Sequence, residues 1–400
     1  MTLRVLHLVT SRTGGAGIAA VRIVEAQKSV GIDAALWDRE SLVKNTGNVF
    51  ANQISLRIKS PLLTLVQRSL IQSSSELMTP KSISLLGKIK EDQFDFDVIN
   101  IHAFYNLLRI DDLLALDQFH KPIFLTLHDI RFLTGGCHAE MNCTQYLKSC
   151  HDCPKVNPPF KKIVSKTRVK TEQILSSSRN INFISPSEWL ASKLSETYNI
   201  NPEKISVIPN PVPKSFIKFK RKTLDIGEAK KIVFGFAAFD VQSPYKGFTV
   251  FMRAIELLPN RIKARISICI QGSNIPDLSS FDNSNISVVC NKYSQMEDFY
   301  DGIDCLVVPS YADNYPSVAT EAAASGCHLI VSNVGGLTEI AREFGGSIFR
   351  SGDYHQLHML LRKLLEKGFS DIDSDSSSLS YSNSGNEYDR AYQRAVDRTQ

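Results

Sequence analysis

Two carboxylates eight residues apart, Asp313 and Glu321, bracket the stretch SYADNYPSVATEAAAS. Asp313 falls in a loop rich in turn formers, and Glu321 about one turn inside an alanine-rich helix predicted over 318–325, with Ser317 at its N-cap. One acid in a loop and one on the following helix can face the same crevice and accept hydrogen bonds from hydroxyls. Between them the free amides of 317–319 make an anion site at a helix start. Hydroxyl acceptors flanking an anion site suit a sugar nucleotide: sugar at one acid, pyrophosphate at the helix tip, ribose at the other acid. An ordinary α/β loop with two solvated acids has the same spacing.

Other residues offer complementary chemistry. Lys246-Gly247-Phe248 lies between a strand predicted over 231–237 and a helix over 249–258, so a cation for pyrophosphate comes with a glycine that lets backbone approach closely. Near the start, Gly14-Gly15-Ala16-Gly17 separates a strand over 3–9 from a helix over 18–30. Such a loop brings amides and a helix tip to an anion, or serves only as a tight turn. It is not GxGxxG and lacks an acidic ribose anchor, which disfavours a nicotinamide dehydrogenase. His128-Asp129 stands at the carboxyl end of a strand over 123–127, at the crevice, although a histidine bonded to backbone fits the same place. His102 is a weaker candidate for an acceptor contact.

Cys137, Cys143, Cys150 and Cys153 lie within 17 residues, directly after Thr134-Gly135-Gly136. Four thiols ending in CxxC can converge on a structural zinc ion, although the spacings are not those of zinc fingers. Reduced thiols and disulfides are the alternatives. Any zinc here shapes a loop and does no chemistry.

These residues need elements to hold them. Strand, loop and helix alternate along most of the chain, the grammar of parallel α/β sheets, whose ligands bind outside the carboxyl ends of the strands. Pro209-Asn210-Pro211-Val212-Pro213 reads as an interdomain hinge, 214–231 as a linker, Ser294 to Glu297 as a capping box, 370–386 as flexible and 388–398 as helical. Residues 54–72 are amphipathic and basic, fit either to lie on an anionic membrane surface or to pack against their own domain. At 400 residues, with 43% hydrophobic and 22% charged, the chain is expected to form two or three globular domains. No apolar run reaches the roughly 18 residues of a spanning helix, and the N-terminus reads as a first strand, so a cytoplasmic location is expected. A net charge of +5 tolerates anionic nucleotides or a phosphorylated lipid and is no nucleic-acid footprint.

The DNYPS wording, the later Gly335-Gly336 with Glu339, the KGF at 246–248 and the TLHD at 126–129 together resemble the retaining glycosyltransferases of family 4. The resemblance covers nearly the whole chain. It implies the GT-B fold, two Rossmann-like doubly wound parallel-sheet domains facing a central cleft. The acceptor-side domain would be 1–213, with a cysteine-rich insert at 134–154, and the nucleotide-sugar domain 214–375. Residues 376–400 would be a flexible segment and a helix crossing back.

By the same resemblance, Asp313 contacts the donor sugar, Glu321 the ribose, and Lys246 the leaving diphosphate. His128 approaches the sugar with Asp129 orienting it, and Gly14, Gly15, Gly17, Gly247, Asn314, Tyr315, Ser317 and Val318 line the donor. The partners implied are a nucleotide diphosphate sugar and a glycan or lipid-linked glycan acceptor, with peripheral membrane association if the acceptor is lipid-linked. No cofactor is required, because fixed positive charge replaces a metal and the leaving diphosphate can take the acceptor's proton. Similar TGGC segments occur in members that build bacterial exopolysaccharides, colanic-acid-type enzymes among them.

Two departures stand out. The first acid is usually Glu, and the arginine usually found upstream of the lysine is missing, since 235–245 holds no Lys or Arg. Arg12 is the other cation considered for that place. Both departures keep open a sugar-nucleotide epimerase or hydrolase on the same scaffold, or a non-catalytic sugar-nucleotide-binding protein.

Overall fold

A computed structural model describes residues 2–41, 95–105, 107–218, 231–278, 287–291, 294–368 and 376–399. The basic stretch at 54–72 lies outside the described residues, as does most of the linker expected at 214–231. The chain divides into two compact units, Met1–Pro209 with Ser384–Gln400, and Asn210–Asn383.

Unit 1 is built on β1 (Arg4–Leu8), β2 (Asp33–Trp37), β3 (Val98–Ile101), β4 (Ile123–Thr126), β5 (Ile181–Ser185) and β6 (Ile205–Val207). They form one six-stranded sheet in the order β2-β1-β3-β4-β5-β6, parallel throughout. Unit 2 repeats the plan with β7 (Ile232–Asp240), β8 (Ile266–Ser273), β9 (Ser287–Cys290), β10 (Cys305–Val308), β11 (His328–Ser332) and β12 (Ser347–Phe349). Its order is β12-β11-β10-β7-β8-β9, again parallel. Central strands such as VINI at 98–101 and CLVV at 305–308 are buried at every residue, as strands covered on both faces by helices must be.

Each order contains a switch point. In unit 1 the chain leaves β1 to one side for β2 and to the other for β3. In unit 2 it leaves β7 for β8 and β9, then returns on the far side as β10. A gap opens between the diverging loops at such a point. The Gly14 loop follows β1, while the Lys246 and Asp313 loops follow β7 and β10.

The structure corrects several local expectations. The helix after β1 is Gly14–Ser29, so the glycines are its first turn and not a separate loop. Pro316, not Ser317, is the N-cap of the helix Ser317–Ala324, and no side chain caps it. Gln295 starts the helix Met296–Asp301 without the Ser294–Glu297 box, and the helix Tyr381–Thr399 begins inside the segment read as flexible. The helix Pro158–Ser177 was not anticipated. It is anchored by Arg168, 1% exposed, whose guanidinium lies 4.3 Å over the Tyr198 ring and donates to the carbonyls of Tyr146 and Thr197.

The helix Tyr381–Thr399 packs within unit 1. Tyr388 and Tyr392 are buried in a cluster with Val5, Ile23 and Phe124. Gly385 permits the approach, because a Cβ there would stand 2.5 Å from the Ala26 carbonyl oxygen. Among the described residues no helix is long and apolar enough to cross a membrane.

Candidate functional site

Lys246 and Asp313 meet at the switch point of unit 2. Lys246 Nζ lies 2.8 Å from Asp313 Oδ2, and Ser310 Oγ donates to the same oxygen at 2.9 Å. Burial opposes the lysine's charge, but the Asp313 carboxylate outweighs it and holds Lys246 above the usual lysine range. The loops carrying the pair are tied together by the Tyr311 amide, which donates to the Tyr245 carbonyl at 2.7 Å.

Two glycines allow this closeness. Gly247 has φ +69° and a Cβ there would stand 1.9 Å from the Pro309 carbonyl oxygen; Gly335 has φ +50° and its Cβ would meet the Asp313 carbonyl oxygen at 1.8 Å. Both are left-handed positions pressed against backbone, which only glycine fills without displacement. The Gly336 amide then donates to the Asn314 carbonyl at 2.7 Å, so the loop after β11 shapes the Asp313 loop.

The helix Ser317–Ala324 begins beside this pair. The amides of Ala319 and Thr320 turn back to the Pro316 carbonyl, which leaves the amides of Ser317 and Val318 as the forward donors of the tip. Glu321 is 5% exposed and accepts from the Tyr300 hydroxyl at 2.8 Å. Among the described residues Tyr315 is buried with no partner for its hydroxyl, and Ser243, in the loop before Lys246, likewise buries an unpartnered hydroxyl.

In unit 1 the histidines form a ladder across adjacent strands. His128 Nε2 lies 2.9 Å from His102 Nδ1, His102 Nε2 lies 2.9 Å from His7 Nδ1, and His7 Nε2 lies 3.0 Å from Gln27 Oε1. The Gln27 amide nitrogen donates to the Tyr392 hydroxyl at 3.0 Å, and Asn100 donates to that hydroxyl at 2.7 Å. Burial keeps all three rings neutral: it lowers His7 and His128 to about 4 and His102 well below the usual histidine range. A neutral ring carries one proton. With the Gln27 oxygen as acceptor, His7 and His102 each donate through Nε2 and accept through Nδ1. His128 is then protonated on Nε2 and bare on Nδ1.

Asp129 therefore does not orient His128, contrary to the expectation from sequence. Its carboxylate takes the Arg131 amide at 2.8 Å and His138 Nδ1 at 2.8 Å. Burial works against its charge, yet His138 and Arg131 hold it down at about 2. His102 is the orienting neighbour instead.

In the first helical turn Gly14 has φ +74°, and a Cβ on Gly17 would stand 2.3 Å from the Ser11 carbonyl oxygen, whereas Gly15 faces open space. Arg12 does not stand free as a substitute cation, since Asp38 holds it at 2.9 Å and the Leu36 carbonyl at 2.7 Å.

The cysteine segment gives no zinc site. Among the described residues no three His, Cys, Asp or Glu side chains are grouped so as to hold a metal ion. Cys137, Cys150 and Cys153 are instead buried in the apolar core beneath β3 and β4, and Cys143 is half-buried. Burial pushes the Cys137 thiol up to about 12 and Cys150 to about 11, and the neighbouring cysteines push the same way.

Sequence reasoning missed the supports: Ser310 under Asp313, Tyr300 under Glu321, and His7 with Gln27 behind His102. Ser310 closes a strand at its carboxyl end, a readable signal. His7 lies inside a strand with nothing local to mark it.

Residues 13–216 match the domain described as glycosyltransferase family 4, and 217–377 that described as glycosyl transferases group 1. Over 256 residues the chain is 24% identical to the "Putative colanic acid biosynthesis glycosyl transferase WcaC" of Escherichia coli (strain K12), and the match spans 60% of each protein. Among solved structures it is similar in fold to Anabaena Alr3699/HepE in complex with UDP, at TM-score 0.55 and 15% identity over 99% of this chain and 97% of that one. It is also similar to the catalytic domain of starch synthase IV from Arabidopsis thaliana bound to ADP and acarbose, at TM-score 0.56 and 14% identity over 100% of both. Two six-stranded parallel sheets with flanking helices, in the company of these relatives, are the GT-B fold. The chain belongs to glycosyltransferase family 4, whose members are retaining enzymes that transfer a sugar from a nucleotide sugar.

Proposed function

We propose that the chain moves a hexosyl unit from a nucleoside diphosphate sugar to a hydroxyl of a glycan or lipid-linked glycan, in the assembly of a bacterial surface polysaccharide. The observation that carries the site assignment is the 2.8 Å pairing of Lys246 with Asp313 at the switch point of unit 2, beside the helix tip at Ser317. The colanic acid assignment of the Escherichia coli relative supports the pathway, and the UDP bound to the Anabaena protein makes uridine donors the first to try.

Each residue then has a task. The donor diphosphate displaces Asp313 from Lys246, which neutralises the charge that grows on the leaving group. The Ser317 and Val318 amides hold the phosphates, with Asn314 and Tyr315 shaping the loop. Freed, Asp313 accepts from a sugar hydroxyl, and Glu321, fixed by Tyr300, accepts from the ribose. Gly14, Gly15, Gly17 and Gly247 let backbone come close to the donor. His128 is assigned to the transferred sugar, on the family resemblance.

As the anomeric bond to the diphosphate breaks, the acceptor oxygen bonds to the same face of the sugar. Its proton passes to the departing phosphate oxygen. No carboxylate nucleophile is needed, and the rate comes from positioning and from charge placed in advance at the leaving group. Magnesium is not obligatory in this scheme. The reaction belongs in the cytoplasm, at the inner membrane face where the acceptor is lipid-linked.

A panel of nucleotide sugars read by thermal shift identifies the donor, since a ligand bound only by the folded state raises the melting temperature. With that donor, Lys246→Ala and Glu321→Ala are each expected to abolish transfer in a folded protein. Near-normal turnover in either variant removes that residue from the site.

A further inference from the structure

Unit 1 contains a cavity of about 540 Å³ at the carboxyl ends of β3 and β4, the ends that also carry His102 and His128. The helix Pro158–Ser177 closes one side of it. Four cations line the cavity, Arg109, Arg131, Lys166 and Lys170, against one carboxylate, Asp111. That carboxylate is already engaged, by Arg109 at 2.9 Å and by Lys170 at 2.5 Å. Lys166 is not neutralised by it, while the charge of Arg131 faces the Asp129 carboxylate behind the cavity wall.

Arg131 is the informative residue. It is 6% exposed, yet among the described residues its Nε–H has no hydrogen-bond partner. Its guanidinium lies flat, 3.6 Å over the Tyr105 ring, and its outer nitrogen meets His138. A buried guanidinium donor left unmade is uncommon, because it forfeits its bonds to water and gains nothing in return. The Nε atom itself has almost no accessible surface, so an acceptor that arrives with a ligand satisfies it only if the guanidinium turns toward the cavity that Arg131 lines. The remaining wall is aromatic, with Phe104 stacked on Tyr105 at 4.4 Å and tilted against Phe132 at 4.7 Å. Aromatic edges beside cations suit a sugar ring that bears an oxyanion: the ring's C–H groups lie against the aromatic side chains, and the anion beside the cations. The volume is in the range of small-molecule sites and holds one or two hexose units.

We propose that this cavity binds the acceptor through an acidic substituent, a carboxylate or a phosphate on a saccharide, gripped by Arg131 and Lys166. The proposal rests on the reading of the chain as a transferase with a glycan acceptor, and it narrows that acceptor to an anionic one. Selectivity would follow from desolvation: a neutral sugar entering the cavity leaves the Arg131 donor unsatisfied and the charge of Lys166 unused.

The test measures Kd by calorimetry on the full chain for four probes: a disaccharide ending in glucuronate, its neutral glucose counterpart, a hexose 1-phosphate, and inorganic phosphate. An acidic saccharide is expected to bind at least tenfold more tightly than the neutral one, with an affinity that falls as salt rises. A preference for the glucuronide identifies the carboxylate as the recognised group; a preference for the sugar phosphate identifies the phosphate. Lys166→Gln, at an exposed position, should remove most of the advantage, and Lys166→Arg should restore it. Equal binding of acidic and neutral saccharides overturns the proposal. So does an acid preference that survives in both Lys166→Gln and Arg131→Gln, or no binding by any probe at millimolar concentration. Nucleotide-sugar binding is read on the same samples and should not change in the Lys166 variants. A failure of the donor assignment therefore shows separately from a failure of the anion site.

Discussion

A lysine that already holds a carboxylate must release it before it can hold a diphosphate. In the function proposed above, Asp313 and the donor's phosphates compete for Lys246, and the competition makes a prediction that a simple list of ligands would not. Asp313→Ala should bind a nucleoside diphosphate severalfold more tightly than the natural chain, because its lysine is unpaired, while sugar transfer falls by about 10²-fold or more. Calorimetry with the diphosphate and a transfer assay read the two effects. Weaker diphosphate binding would mean that Asp313 serves to position Lys246 and not to compete for the phosphates' place. The shorter acid also bears on the missing arginine. With no second cation in 235–245, and Arg12 committed to Asp38, the proposed mechanism leaves stabilisation of the leaving group to the charge of Lys246 and the amides at Ser317. Lys246→Ala should therefore cost more than one cation's usual share.

The elements hold these side chains by backbone contacts, which is where small changes tell. Gly335→Ala puts a Cβ 1.8 Å from the Asp313 carbonyl oxygen at a φ of +50°, so the Asp313 loop must move. Donor affinity should fall about tenfold, in line with roughly 1–3 kcal/mol for a strained position, while hydrogen exchange in the β7–β12 sheet stays protected. Unit 1 has a pH signature of its own. His7 and His128 titrate near 4 when folded and near the ordinary histidine value of about 6.5 when unfolded. Between those values the unfolded chain binds more protons, so stability is full above about 6.5 and is lost as pH falls toward 4. Replacing His102 by Phe should flatten that slope in a hydrogen-exchange series, since His102 is itself a buried ring held well below its ordinary value. Much of this architecture was legible. Turn formers after apolar runs marked β10 and β11, and the KGF and DNYPS stretches marked the loops that meet. What was not legible depends on distance along the chain. Nothing local marks Arg168 as buried until Tyr146 and Thr197 are seen around it, and the cysteine spacing says nothing of the apolar core in which those thiols lie. The pairing of His128 with His102, not with the adjacent Asp129, needed two strands laid side by side.

At the scale of the molecule, each unit repeats one plan and places its functional loops at its own switch point. Family membership accounts for the plan, and the chemistry is set by what each switch point carries: charge in unit 2, a neutral histidine ladder in unit 1. The ladder's last rung is Tyr392, from the helix Tyr381–Thr399. Tyr392→Phe would strand the amide groups of Gln27 and Asn100 in the core and should destabilise unit 1 by about 1–3 kcal/mol, with a matching change in the imidazole nitrogen resonances of His128. Unchanged resonances would separate the ladder from the site. There is also a consequence for how the protein is made. The ribosome delivers β1 and His7 before unit 2, and Tyr392 only after it. Until then, the seat beside Gln27 and Asn100 is open to water, and the histidines can ionise. A nascent chain is thus expected to lack a properly tuned His128 until the helix Tyr381–Thr399 has been made, and a message cut short within unit 2 should leave that histidine relay unfinished.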